Sequence, residues 1–316
     1  MDIINNQNVN YLYTYASYED ERDLVSLEMR SLFGKDSQTG VIESAVKINP
    51  SRSPFIKERL EIILEALSLE ELVSKVQELT PITETYKVKY IKRGSTGKAD
   101  EAARRRRIEK EIGLKLKGVA DIHNPKQVYG VITIGDRWLF GKYEKSESVW
   151  FRHQQKPHSY STALNTRVAR AVVNIAIPNS KGIKAIDPCC GIGTVLVEAL
   201  SMGIDIVGSD RNPLILKGTR ENIAHFGYSC EVKKMDIRDI DEQYDVAIID
   251  LPYNLCSVIT EEEQLEMIQC ARSFATKVVV VTVEPIDKIL AEAGFSVVDR
   301  AVVKKGTFSR EVIVCQ

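Results

Sequence analysis

The second half of the chain alternates between apolar residues at helical spacing and short runs of β-branched residues. The predicted order is helix 167–177, strand 183–187, helix 195–202, strand 204–209, helix 214–226, strands 230–234 and 244–249, helix 262–274, and strands 277–283, 295–303 and 310–315. Strands that alternate with helices favour a parallel sheet covered on both faces. The fold class predicted here is α/β, with a doubly wound, mainly parallel sheet of seven strands into which the last strand inserts antiparallel.

The first half has a different pattern. Residues 11–16 read as a strand, residues 20–33 as a helix that ends at Gly34, and residues 54–67 as a second amphipathic helix. Ser68 and Glu71 form a capping-box pair at the start of a third helix. From Thr85 onward the pattern predicts strand 86–91, a basic helix over 100–117, and strands 128–134 and 138–140. The polar, weakly periodic stretch after them reads as a linker, which gives the predicted segments 1–79, 80–145, 146–166 and 167–316.

The composition argues against several classes of protein, including membrane, secreted and zinc-binding proteins. The chain has 316 residues, of which 44% are hydrophobic and 28% charged, as expected for two globular domains. It contains no apolar run of transmembrane length and does not begin with a secretion signal. Its six cysteines include no C-x-x-C pair, which argues against a zinc site or a disulfide framework. We therefore expect a reduced, cytoplasmic protein without a metal.

Charge is distributed unevenly along the chain. Residues 1–79 carry 8 basic and 14 acidic side chains, residues 80–160 carry 18 and 9, and residues 161–316 carry 17 and 21. A local excess of positive charge is typical of a phosphate-binding surface, although a solvated helix that faces the acidic N-terminal segment is the alternative. Lys304, Lys305 and Arg310, near the C-terminal end of the sheet, either contact phosphate or lie in a solvated turn. The candidate RNA-binding residues are Arg104, Arg105, Arg106, Arg107, Lys110, Lys304 and Lys305.

A glycine-containing loop follows the strand at 183–187. Gly191 and Gly193 allow the backbone to approach a ligand, but the dinucleotide-binding pattern needs a small residue where this chain has Leu196. Asp210, which ends the next strand, suits ribose hydroxyls, and Asp236 suits an adenine amino group, although both are also suited to capping turns. Cys190 reads as a small buried residue. The candidate cofactor-binding residues are Asp187, Pro188, Cys190, Gly191, Gly193, Thr194, Asp210, Arg211, Asp236 and Ile237.

A second motif follows the strand at 244–249 and comprises the candidate catalytic residues Asp250, Leu251, Pro252 and Tyr253. A carboxylate that accepts hydrogen bonds from a base amino group directs the nitrogen lone pair towards an approaching methyl group. Pro252 stiffens the turn, and Tyr253 offers a stacking face for an extruded base. A carboxylate matches the N1–H and N2–H donors of guanine, whereas the N1 acceptor of adenine favours an Asn. An ordinary strand–turn is the alternative interpretation.

These motifs resemble those of a known family. Residues 183–316 resemble class I S-adenosylmethionine-dependent methyltransferases that methylate amino groups, through Asp187–Thr194, Asp210 and Asp250–Tyr253. With Val119–Pro125, the whole chain resembles THUMP-containing tRNA guanine-N2 methyltransferases. The resemblance implies S-adenosylmethionine as cofactor, tRNA as partner, a THUMP-like RNA-binding region and methylation of guanine N2. Leu251 departs from the family's Asp-Pro-Pro-Tyr. Two other readings stay open: another acceptor (rRNA, a DNA base or a protein side chain), and a non-catalytic RNA-binding protein.

Overall fold

The computed structural model of the chain describes residues 10–92, 99–160, 163–252, 259–306 and 308–316. The elements are β1 Tyr11–Tyr15, α1 Arg22–Phe33, β2 Val41–Ser44, β3 Ile56–Ala66, α2 Leu69–Gln77, β4 Tyr86–Tyr90, α3 Ala99–Gly113, β5 Gln127–Ile134, β6 Arg137–Lys145, α4 Thr166–Ala176, β7 Lys184–Asp187, α5 Thr194–Ser201, β8 Asp205–Asp210, α6 Pro213–His225, β9 Val232–Lys234, β10 Tyr244–Asp250, α7 Glu261–Phe274, β11 Ala275–Thr282, α8 Asp287–Glu292, β12 Val297–Lys305 and β13 Phe308–Cys315.

The chain forms two compact units. One comprises residues 1–15, 38–50 and 56–147, and the other comprises residues 16–37, 51–55 and 148–316. Helix α1 and residues 51–55, which the sequence analysis placed in the N-terminal segment, therefore lie in the second unit. The predicted linker contains a 3₁₀ helix, Val149–Gln155, that belongs to the second unit as well.

The first unit is built on a six-stranded sheet in the order β2-β1-β3-β6-β5-β4. Neighbouring strands are antiparallel except β4 and β5, which are parallel. The sheet buries apolar residues on both faces, since Val131 and Ile132 belong to different core clusters. Helices α2 and α3 pack on the Val131 face, where α3 contributes Ile108 and Ile112.

The prediction of a helix over residues 54–67 is wrong. This stretch is the long strand β3, which pairs with β1 on one side and β6 on the other. Its apolar residues also match a helical spacing, but a bulge between Ile62 and Leu64 breaks the two-residue alternation of the strand. The predicted cap of α2 is confirmed, since the Ser68 hydroxyl accepts a hydrogen bond from the Glu71 amide at 3.1 Å.

The second unit contains the seven-stranded sheet, in the order β12-β13-β11-β10-β7-β8-β9. Strands β7 to β11 are parallel, and β13 inserts antiparallel between β11 and β12, as predicted. The chain leaves β7 towards β8 and β9 on one side and later returns to build β10 and β11 on the other. The carboxyl ends of β7 and β10 are therefore the switch point at which open α/β sheets bind ligands.

Helix α1 packs against α4 and β12. In this contact the buried Glu28 carboxylate accepts hydrogen bonds from Ser53 Oγ at 2.5 Å and from Asn174 Nδ2 at 2.7 Å. Burial raises the pKa of Glu28 to about 7. On the same helix, Arg30 forms an ion pair with Asp299 at 2.8 Å. These contacts join the N-terminal helix to the seven-stranded unit.

Within the described ranges of the chain, no helix is both long enough and apolar enough to cross a bilayer.

Candidate active site

A pocket of about 460 Å³ opens at the carboxyl ends of β7, β8 and β10 in the seven-stranded unit. Most of the residues that the sequence analysis placed in the cofactor loop and in the second motif line this pocket or lie next to it. Of the predicted residues, its wall includes Pro188, Gly191, Asp210, Arg211, Asp236, Ile237, Asp250, Leu251 and Pro252. The remaining predicted residues of the loop, Asp187, Cys190, Gly193 and Thr194, are buried next to this wall.

The glycine loop requires its glycines for two reasons. Gly191 and Gly193 have φ angles of +50° and +78°, in the left-handed region that disfavours a side chain. A Cβ on Gly191 would also lie 2.6 Å from the Tyr160 hydroxyl oxygen. The loop therefore holds bare backbone against the pocket, as the sequence predicted.

Asp210 anchors this loop from the end of β8. Its two carboxylate oxygens accept hydrogen bonds from the Gly191 amide at 3.0 Å and the Asn212 amide at 2.9 Å. Each carboxylate oxygen can accept a further hydrogen bond, and the side chain lines the pocket. The sequence analysis left open whether Asp210 caps a turn or faces a ligand. In the structure Asp210 caps the turn and also lines the pocket.

Asp236 follows β9 and caps the short helical turn Ile237–Asp239 through the Arg238 amide. Its carboxylate also forms a bidentate ion pair with the Arg238 guanidinium, with both contacts at 2.8 Å. This pairing lowers the pKa of Asp236. The carboxylate remains in the pocket wall, although part of its hydrogen-bonding capacity is used by Arg238.

Asp250 ends β10 at the base of the pocket. Its Oδ1 is buried and, among the described residues, has no hydrogen-bond partner. Burial raises its pKa to about 7, while the positive charge of Arg310 acts in the opposite direction. A buried polar atom without a partner is costly, and such atoms are concentrated where a ligand completes the site. Asp250 is therefore poised to accept a hydrogen bond from a bound molecule.

Of the rest of the second motif, the structure describes Leu251 and Pro252. Leu251 is buried and its amide donates to the Val281 carbonyl at 2.9 Å, so the chain continues as an extension of the sheet. Pro252 lines the pocket. Tyr253 lies outside the described residues.

The cysteines of the loop are not activated nucleophiles. Burial, followed by the negative charge of Asp187, raises the pKa values of the Cys189 and Cys190 thiols. The pKa of Asp187 itself is raised, by burial and by the nearby carboxylates of Asp250 and Asp210. The interpretation of Cys190 as a small buried residue is consistent with this environment.

Three further residues shape the site and were missed in the sequence. Tyr160, assigned to the linker, lines the pocket opposite Gly191. From α6, Thr219 Oγ1 donates to the Gly191 carbonyl at 2.5 Å and Asn222 Nδ2 donates to the Ile192 carbonyl at 2.9 Å. Both are fully buried polar residues three positions apart on one face of α6, a spacing that could have pointed to them.

Part of the seven-stranded unit matches a known family model. Residues 153–279 match the family UPF0020, described as an RMKL-like methyltransferase domain. These residues form a methyltransferase domain. The predicted class of enzyme is confirmed, and with it S-adenosylmethionine as the cofactor.

Individual relatives agree with this assignment. The tRNA (guanine(10)-N2)-dimethyltransferase of Methanothermobacter thermautotrophicus is 29% identical over 275 residues, which cover 78% of this chain and 79% of the relative. The human U6 snRNA (guanine-N(2))-methyltransferase THUMPD2 is 28% identical over 182 residues, which cover 54% of this chain and 34% of the relative. The crystal structure of SMU.472 complexed with SAH has a TM-score of 0.50 at 15% identity and covers 96% of this chain and 97% of that chain, a likeness of fold alone.

The pocket of the methyltransferase domain fits S-adenosylmethionine by its chemistry. The cofactor carries a sulfonium and an ammonium group, and four aspartates (Asp187, Asp210, Asp236 and Asp250) lie in or beside the pocket. The Gly191 backbone leaves room that a side chain would fill, and Oδ1 of Asp250, which has no partner in the described part of the chain, can accept a hydrogen bond from a ligand. The role of each single residue stays a prediction. In the described parts of the chain, no cluster of His, Cys, Asp and Glu side chains is arranged to hold a metal ion.

The candidate RNA-binding residues lie on two different units. Helix α3 of the first unit buries Ile108 and Ile112, and it exposes four of its predicted residues to solvent: Arg104, Arg106, Arg107 and Lys110. Arg105 is half-buried and its Nε donates to the Glu101 carbonyl at 3.3 Å. Lys304, near the end of β12 in the seven-stranded unit, is exposed, and Lys305 ends that strand.

Proposed function

We propose that this protein transfers methyl groups from S-adenosylmethionine to the exocyclic N2 of a guanine in tRNA. The observation that carries the proposal is the Asp250 carboxyl, whose buried Oδ1 at the base of the methyltransferase pocket has no hydrogen-bond partner among the described residues. The guanine-N2 activities named for the relatives from Methanothermobacter thermautotrophicus and human support the same acceptor atom.

Asp250 accounts for both recognition and activation of the base. In the ionised form, its two oxygens can accept the N1–H and N2–H hydrogen bonds that guanine presents side by side. Acceptance of the N2–H bond shifts electron density onto the nitrogen that attacks. Because the pKa of Asp250 is raised to about 7, the carboxylate is also basic enough to take the proton that N2 loses as its bond to the methyl group forms.

The cofactor pocket sets the geometry of the transfer. S-adenosylmethionine, when bound, supplies a methyl group on a sulfonium sulfur, and the sulfur keeps the bonding electron pair. Asp210 and the Gly191–Gly193 backbone would hold the nucleoside part, and Asp236 would accept a hydrogen bond from the adenine amino group. The residues act mainly by placing the acceptor nitrogen in line with the methyl group. Tyr253, beyond the described residues, remains our candidate for stacking on the base.

The first unit is the proposed RNA-binding part. Its residues 80–145 resemble a THUMP region in sequence, and it presents α3 with Arg106, Arg107 and Lys110 exposed. Among the described residues, none of these three takes part in an ion pair, so their charges are free to contact phosphates.

The test is in vitro methylation of tRNA, followed by mass spectrometry of the nucleosides. We expect N2-methylguanosine or N2,N2-dimethylguanosine from the wild-type protein. Asp250→Asn keeps the size of the side chain but removes one of the two acceptors, so kcat should fall by about 10²- to 10⁴-fold. Asp245→Asn is the matched control, since Asp245 is an exposed carboxylate near the other end of β10.

Other products would change the conclusion. Methylated adenosine, or a fully active Asp250→Asn variant, contradicts the guanine assignment. Activity on U6 snRNA but not on tRNA would transfer the proposal to the class of RNA named for the human relative.

A further inference from the structure

Arg310 and Asp250 project from the same face of the seven-stranded sheet. Asp250 is paired with Val281 of β11, and Val281 is paired with Val312 of β13. Side chains alternate between faces along a strand, so Arg310, two residues before Val312, lies on the face of Asp250. The opposite face carries Ile249, Val280 and Ile313, which belong to one hydrophobic cluster.

Both residues also lie at the same edge of the sheet. Because β13 runs antiparallel to β11, its beginning lies beside the carboxyl ends of the parallel strands, where the pocket opens. Strands β10 and β13 are separated only by β11, a spacing of about 10 Å. The Arg310 guanidinium is half-buried and lies over the ring of Phe308, with its Cζ 4.9 Å from the ring centroid. That contact restricts the position of the charge.

Among the described residues around the pocket, acidic side chains outnumber basic ones. Burial raises the pKa of Asp250, and the positive charge of Arg310 lowers it. Arg238 is engaged with two other carboxylates, those of Asp236 and Glu266. The titratable and charged groups around the pocket are Asp187 and Cys189 after β7, Asp210 and Arg211 after β8, Asp236 and Arg238 after β9, Glu263 and Glu266 on α7, and Arg310 on β13.

We propose that Arg310 is a positioning residue for Asp250. Its positive charge holds the neighbouring Asp250 carboxyl in the ionised form, which accepts hydrogen bonds from the substrate amino group. The catalytic consequence of this inference rests on the proposed function, whereas the electrostatic coupling between the Arg310 and Asp250 side chains does not depend on that function. Sequence gives Arg310 no such role, because 60 residues of chain separate it from Asp250.

The catalytic consequence is a shift in the pH dependence. In the wild-type protein, kcat/KM should rise with pH through about 7, since the carboxylate is the active form. Without the positive charge, ionisation of Asp250 requires a higher pH. An opposite charge nearby shifts a carboxyl pKa by about 1–3 units. The ascending limb in Arg310→Gln should therefore move up by at least about one pH unit.

The first experiment measures kcat/KM on tRNA from pH 6 to 9.5 for the wild type, Arg310→Gln and Arg310→Lys. At pH 7 we expect Arg310→Gln to lose activity by about fivefold or more, and at pH 9 to regain most of it. Arg310→Lys should stay near the wild-type profile because it retains the charge. Arg300→Gln is the matched control: it removes a guanidinium from the adjacent strand β12, where Arg300 is paired with Asp287 and Glu311.

A decrease of kcat/KM in Arg310→Gln that is equal at all pH values would overturn the inference, because it would indicate an RNA contact or a structural role. A failure of Arg310→Lys to restore the profile would overturn it as well. Absence of methylation by the wild-type protein at every pH would instead be a failure of the proposed function.

The second experiment needs no activity. Melting temperatures of the wild type, Arg310→Gln, Asp250→Asn and the double variant form a double-mutant cycle at pH 5 and at pH 9. At pH 9 Asp250 is charged, so Arg310→Gln should lower the melting temperature more in the wild type than in the Asp250→Asn background. At pH 5 Arg310→Gln should lower the melting temperature equally in the wild type and in the Asp250→Asn background. Equal losses at both pH values would show that the charges are not coupled and would reject the inference even if the enzyme is a guanine methyltransferase.

Discussion

Asp210 both holds the glycine loop and lines the pocket. Its oxygens hold the amides of Gly191 and Asn212, and the same oxygens border the pocket. Removal of the carboxylate would therefore remove the proposed charge-assisted contact to the cofactor and would also loosen the glycine loop. Both effects act on cofactor binding before any chemistry takes place.

We predict that Asp210→Ala weakens S-adenosylmethionine binding by about 1–3 kcal/mol, measured by calorimetry. Asp205→Ala is the control, because Asp205 is an exposed aspartate at the start of the same strand. Asp210→Asn separates the two effects, since its amide oxygen can still accept from one loop amide while the negative charge is lost. An Asp210→Ala variant with wild-type affinity would exclude Asp210 from the cofactor site.

The residues of the site were predictable where a local motif carries the chemistry. The glycine loop, Asp210 and Asp250 all follow strands, and the carboxyl ends of parallel strands converge at one edge of a sheet. Tyr160 has no such signal. Its place opposite Gly191 results from tertiary packing between segments some thirty residues apart, and its neighbours in sequence show no periodicity.

At the scale of elements, β3 shows why a local pattern can mislead. Its charged residues suggested the polar face of a helix, but they are held by partners far away in sequence. Thr14 on β1 donates to Glu58 at 2.6 Å, and Arg59 pairs with Glu144 on β6 at 2.5 Å. The seven-stranded sheet was predicted more completely, because its buried parallel strands are short β-branched runs that cannot be mistaken for amphipathic helices.

The contact between α1 and α4 has a measurable dependence on pH. Glu28 is fully buried there, and its pKa is raised from 4.5 to about 7. The folded protein thus holds a proton that the unfolded chain releases above pH 4.5. The free energy of unfolding should therefore fall as the pH rises from about 4.5 to 7, by up to about 3 kcal/mol from this group.

We predict that Glu28→Gln reduces this dependence, because its amide can keep the contacts to Ser53 and Asn174 without titrating. Urea unfolding at pH 5 and pH 8 measures the difference. Glu292→Gln is the control, since Glu292 is an exposed carboxylate on α8 of the same unit. An unchanged difference between the two pH values in Glu28→Gln would show that Glu28 is already ionised in the folded protein at pH 5.

At the scale of the whole molecule, the formal net charge of −1 conceals a basic middle segment. Residues 80–160 carry twice as many basic as acidic side chains, and α3 exposes several of them. Each phosphate contact made by such residues releases bound counterions from the RNA. The affinity for RNA is then expected to depend steeply on salt concentration.

We predict that a triple variant of α3, with Arg106, Arg107 and Lys110 changed to Gln, has a salt dependence shallower by about 2–3 in the slope of log K against log salt. Filter binding or fluorescence anisotropy with tRNA measures the slope. The control changes Lys35, Lys181 and Lys288 to Gln, three exposed lysines of the other unit. Equal slopes for the two triple variants would mean that α3 is not a specific part of the RNA-binding surface.

The placement of α1 in the methyltransferase unit also sets an order of events during synthesis. Glu28 leaves the ribosome 146 residues before Asn174, its partner on α4. At about 5–20 residues per second, α1 waits on the order of 7–30 s with Leu24, Leu27 and Met29 uncovered. During that interval the six-stranded sheet, whose last strand ends at Lys145, can already close. The nascent chain therefore carries an amphipathic helix without its partner, and the catalytic unit must be the last part of the protein to fold.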